Sequence, residues 1–162
     1  MISFRSKNSS VSLIATILLG LILPWILILP ISFLGGSEII EEIFKTLVIF
    51  CLVVPAFSFG KGVIVSVAFG FTFALSEAAL YMPNLYTFGG LEDIYSRLIW
   101  VGLLHIVTSL IIFCLAKYKK WLVPLGFILA LTIHLIYNLV LVKYLVATVI
   151  LQFMVLYLLQ QY

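Results

Sequence analysis

The sequence predicts an all-α fold, a polytopic transmembrane helix bundle of about six spans with the N- and C-termini cytoplasmic. Three observations predict it. Of 162 residues, 65% are hydrophobic and 9% charged, with a mean hydropathy of +1.32, against about 45–50% apolar and 25% charged in a soluble domain. The apolar residues run in long uncharged stretches, and glycine, proline and lysine clusters separate those stretches. A chain of this size cannot bury so much hydrocarbon in a core of its own, so lipid must solvate most of it. That excludes a soluble enzyme, a nucleic-acid binder and a disordered tail.

A helix crosses a bilayer in about 20 mostly apolar residues. The first candidate is 11–34, preceded by Arg5 and Lys7. The charge-free stretch from Asn8 to Ser37 exceeds the roughly 7–15 residues of a signal-peptide core, and no A-x-A site closes it, so it reads as a retained span. Gly35-Gly36-Ser37 ends it and opens the second span, 37–59. Gly60-Lys61-Gly62 leads into 62–82, and Pro83-Asn84 with Gly89-Gly90 separates that span from 94–116. After Lys117-Tyr118-Lys119-Lys120 come 121–142 and, past the single charge of Lys143, 144–160. No repeat or soluble segment interrupts the series, so residues 1–162 form a single membrane-embedded domain. Cys51 and Cys114 fall in apolar runs and read as packed thiols rather than a disulfide or a metal pair. With the N-terminus inside, Arg5, Lys7, Lys61, Lys117, Lys119 and Lys120 are cytoplasmic, against Arg97 and Lys143 outside. Glu92, Asp93 and Arg97 are loop and interface charges.

The remaining ionisable residues stand where lipid makes them expensive, and such residues normally face a polar interior that serves function. Glu38, Glu41, Glu42 and Lys45 recur at i, i+3, i+4 and i+7 and share one helix face. Glu38 reads as a helix-start residue beside the N-terminal dipole, and Lys45 as the ion-pair partner of Glu41 or Glu42. Phe73 and Glu77 follow Gly70, which permits close helix approach. His105 has Thr108 and Ser109 on its face, and His134, Tyr137 and Asn138 form another stripe. In the expected orientation all four helices carry these groups in the outer half of the membrane. Agreement in depth points to one site.

Two imidazoles and a carboxylate are the usual protein ligands of a catalytic zinc, whose fourth position holds water. Glu77, His105 and His134 are candidate metal ligands, and zinc is the candidate cofactor. Glu41 or Glu42 would take the proton of the attacking water. Asn138 would donate a hydrogen bond to an oxyanion. There is no HExxH motif. The same acids and histidines could instead build the proton path of a small proton-coupled transporter or carrier.

Glu41-Glu42-Ile43-Phe44-Lys45 resembles the EExxK motif of PrsW-type intramembrane proteases, within the CAAX-protease and bacteriocin-processing superfamily. Gly70 to Glu77 is similar to that family's glycine-led FxxxE helix, His105-Ile106-Val107-Thr108 to its third motif, and His134 to Asn138 to its HxxxN motif. The resemblance covers about residues 38–140, in order, on four successive spans; Ala78 stands where that family commonly has asparagine. It implies a membrane-embedded endopeptidase of a prokaryotic plasma membrane, cutting membrane-associated protein substrates such as anti-sigma factors, with these glutamates and histidines as its active site.

Overall fold

The computed structural model describes residues 5–88 and 91–140. Helix α1 runs Arg5–Leu34. Helix α2, Ser37–Val48, continues through a π-helical turn at Ile49–Val53 into Val54–Ala56. Then follow α3, Phe59–Phe88, α4, Leu91–Tyr118, and α5 over residues 123–140. Among the described residues there is no strand, and four segments are long and apolar enough to cross a membrane: Ser9–Leu34, Phe59–Pro83, Leu98–Tyr118 and Lys120–Val140. The expected sixth span, 144–160, and Lys143 lie outside the described residues, as do the side chains of Glu92, Asp93 and Arg97.

Two boundaries differ from expectation. Helix α3 already begins at Phe59, so Gly60-Lys61-Gly62 is its first turn rather than a loop. It also continues through Pro83 to Phe88. A proline removes one i→i−4 hydrogen bond, a loss that membrane helices tolerate when neighbours satisfy the freed carbonyl.

The second expected span, 37–59, is not among these four segments: it is a composite element that carries both the charges and Pro55. Gly35 and Gly36 both adopt positive φ, 67° and 62°, which lets the chain reverse in two residues between α1 and α2. Gly35 N–H closes α1 onto the Ile31 carbonyl at 2.9 Å, and the Gly36 carbonyl accepts the Ile39 N–H at 3.0 Å. At the other end Pro55 cannot donate to the Cys51 carbonyl, and the widened π turn lies immediately before it. The exposed carbonyls there are met by Lys117, whose Nζ donates to Val54 O at 2.8 Å and Phe57 O at 2.6 Å. A cation at a helix C-terminus also complements the dipole. Lys117 therefore does more than mark a loop.

Helices α3 and α4 pack antiparallel along a small-residue stripe. A Cβ on Gly62 would meet the Phe113 ring, and one on Gly70 would come within 2.5 Å of the His105 carbonyl oxygen. Helix α1 lies against α3, with Ser76 Oγ donating to Leu21 O at 2.5 Å. Leu27, Ile49, Val53, Phe69, Ile112 and Phe113 fill the centre of the bundle. Cys51 and Cys114 are free thiols, but Cys51 is exposed on the outside of α2, not packed in the core as expected. A lipid-facing position suits a small apolar thiol as well as a core does.

Candidate functional site

Glu41, Glu42 and Lys45 occupy the inner face of α2, and all three are buried. Helix α3 supplies Glu77, α4 supplies His105 and Thr108, and α5 supplies His134 and Asn138. Glu77 lies six residues before the Pro83 end of its span and His105 seven after the Leu98 start of its own. At about 1.5 Å per residue both are roughly 10 Å below the same end of the bundle.

Lys45 is fully buried and occupies the centre. An ammonium has three N–H donors, and here each has a partner: Glu42 Oε1, His105 Nδ1 at 2.9 Å and Thr108 Oγ1 at 3.1 Å. Its Nζ also lies 5.3 Å from the Phe73 ring centroid. Of the two expected ion-pair partners Lys45 takes Glu42, not Glu41.

These contacts assign the imidazole protons. Paired with Glu42 as an ammonium, Lys45 can only donate, so His105 Nδ1 accepts and its Nε2 carries the proton. That Nε2 then donates to Glu77 Oε2 at 2.5 Å. At His134 the order reverses: Nδ1 meets the Glu42 carboxylate at 2.8 Å and must donate, which in a neutral ring puts the lone pair on Nε2, 4.0 Å from Glu41 Oε2. One chain of polar contacts thus runs Glu77, His105, Lys45, Glu42, His134. The two imidazole rings stand edge to face, 5.5 Å between centroids.

Both ends of this chain open into one pocket, lined by Glu41, Glu77, His105, His134 and Asn138 with Ser37, Tyr81, Tyr137, Val101 and Leu104. Its volume of about 70 Å³ exceeds the roughly 10–15 Å³ that a water requires. Glu41 presents there a buried oxygen, Oε2, with no hydrogen-bond partner. Glu42 does not line the pocket; it is closed off behind His134 and Lys45. Asn138 lines the pocket and donates from Nδ2 to Glu38 Oε1 at 2.7 Å.

Of the residues singled out in the sequence, Glu41, Glu77, His105, His134 and Asn138 line this one pocket, and Glu42 does not. Within the cluster the structure redistributes the expected parts. The ligand atoms found within 4.8 Å of one another belong to Glu41, Glu77 and His105, while His134 turns Nδ1 to Glu42. Glu38 does start α2, as expected, but also reaches across to α5. Tyr81 and Ser37 are pocket residues that the sequence reading passed over. Tyr81 follows Glu77 at i+4 on the same helix face, and that spacing could have singled it out. Comparison of the chain with protein-family models, with curated proteins and with solved structures finds no match.

Proposed function

We propose that the chain is an intramembrane endopeptidase of the PrsW type, in which Glu41 activates the water that hydrolyses a peptide bond of a membrane-associated protein substrate. The observation that carries this reading is the Glu41 Oε2 oxygen, buried without a hydrogen-bond partner 4.0 Å from His134 Nε2 in a pocket large enough for water. A buried acceptor of this kind calls for an explanation, and a bridging water supplies one.

In the proposed mechanism water sits between Glu41 Oε2 and His134 Nε2. Glu41 takes its proton as the oxygen attacks the scissile carbonyl. Asn138 Nδ2–H stabilises the oxyanion. Glu41 then returns the proton to the leaving nitrogen. Glu42 holds His134 in the required tautomer, and Lys45 holds Glu42 and His105.

Glu41 and Glu77 lie close together, so with Glu41 ionised as the base either a proton on Glu77 or a metal ion would offset the second charge. A zinc ion would be held by Glu41, Glu77 and His105, and when bound would polarise water and carbonyl. The donor set opposes it. A metal-ligating histidine usually donates its other N–H to an acceptor, whereas His105 Nδ1 accepts from Lys45 and leaves no lone pair on Nε2. The proposal therefore rests on glutamate and routes no step through a metal. In the expected orientation the pocket opens to the outer face. Replacing the base by Glu41→Gln should lower cleavage of a membrane-anchored reporter peptide by about 10²–10⁴-fold, the usual worth of a positioned acid–base group.

A further inference from the structure

We infer that Glu38 is a positioning residue for Asn138, fixing its side-chain amide so that one N–H is always presented to the pocket. This deepens the reading above and rests on it for its catalytic meaning.

Three observations carry the inference. Glu38 sits in the first turn of α2 and Asn138 on α5, one hundred residues apart, yet Asn138 Nδ2 donates to Glu38 Oε1 at 2.7 Å. A carboxylate can only accept, so the contact settles which end of the amide is nitrogen and holds the amide plane in one orientation. Asn138 lines the pocket, whereas Glu38 does not. Glu38 thus stands behind the pocket wall and acts through its partner.

An amide nitrogen has two N–H groups. With one given to Glu38, the second is left for the pocket, where an oxyanion would form. Without Glu38 the amide could turn its carbonyl oxygen inward, and an acceptor facing an oxyanion is repulsive. The local structure supports a fixed Glu38. Ser37 Oγ donates to its other oxygen, Oε2, at 3.2 Å, and the positive end of the α2 dipole favours a carboxylate in this turn. A carboxylate already held at Oε2 by Ser37 loses less freedom on gripping Asn138 with Oε1.

The test has two arms, one of them independent of activity. The chain contains three asparagines, Asn8, Asn84 and Asn138, so ¹⁵N labelling of asparagine side chains alone, in the full chain in nanodiscs, gives three amide pairs, and Asn138→Ala identifies its own. The expected result is an Asn138 pair with one proton shifted downfield by its charged acceptor, which Glu38→Ala collapses and Glu38→Asp partly restores. An Asn138 pair unchanged in Glu38→Ala overturns the inference. In the kinetic arm Glu38→Ala and Asn138→Ala should lower kcat by the same factor with KM little changed, and the double variant should lose no more than either. Losses that multiply, or a Glu38→Ala that lowers the melting temperature with kcat intact, also overturn it. A wild-type chain that cleaves no reporter removes the peptidase reading alone, since the amide signal reports the pairing without turnover.

Discussion

Lys45 is the residue on which the buried charge of the site depends. It is the cation that meets Glu42, and its two other donors hold His105 and Thr108. Removing one member of a buried ion pair leaves the other charge uncompensated, a loss of about 3–5 kcal/mol. Lys45→Met should therefore lower stability by about that amount in thermal or denaturant unfolding of the detergent-solubilised chain. Adding Glu42→Gln should recover most of the loss, because the stranded charge is gone. If the double variant is less stable than Lys45→Met, the pairing described here is wrong. The sequence brings Lys45 to the same helix face as both glutamates, but spacing alone leaves its partner open. Contacts from α4 decide it, drawing Nζ toward His105 and Thr108 and thus toward Glu42. The same limit applies to the histidines. Their type and depth are legible in the chain, while their tautomers depend on which partners the fold places at each nitrogen.

At the scale of elements, the site is set by how closely α3 and α4 approach. Gly70 lies against the His105 backbone, and a Cβ there would fall 2.5 Å from the carbonyl oxygen. Backbone cannot yield as a flexible side chain can. Gly70→Ala should push α4 outward, stretch the 2.5 Å contact between Glu77 and His105 and lower both melting temperature and activity. Gly102 provides the control, since a Cβ there meets nothing within 4 Å. Gly102→Ala should leave activity unchanged and raise helix stability by about 0.5–1 kcal/mol. Equal effects from the two substitutions would show that close packing at Gly70 is not what positions His105. The role of Gly70 is readable from its place one turn before Phe73 and two before Glu77. Helix ends are less readable. Pro83 reads as a breaker but lies inside α3, because an apolar segment with packed neighbours has more to lose by unwinding than one hydrogen bond. The composite build of α2 is partly foreshadowed by Pro55, yet the capping of its end by Lys117, sixty residues away, is a tertiary fact.

For the whole molecule, the scarcity of charge made the site visible. Lipid penalises every ionisable group it touches, so the few that stay in the spans must find one another. The cluster is therefore legible in the sequence, whereas the choice of Glu41 as the carboxylate that faces the pocket is made by the fold. The pocket end of the bundle is opposite the lysine-rich end, and the expectation from the charge distribution is that the lysines lie inside. With Cys51 and Cys114 replaced, Leu34→Cys should react with a membrane-impermeant maleimide in intact cells, and Lys119→Cys only after permeabilisation. The reverse pattern would invert the orientation. The central claim is that these helices assemble a glutamate-dependent hydrolytic site. Its most direct measurement is cleavage of a membrane-anchored reporter by the purified chain in liposomes, with and without a strong chelator, beside Glu41→Gln, His105→Ala and His134→Ala. The account predicts chelator-resistant cleavage by the wild type and its loss in all three variants, each still folded. Cleavage that persists in all three, or pH-driven proton flux with no cleavage in the wild type, would contradict it.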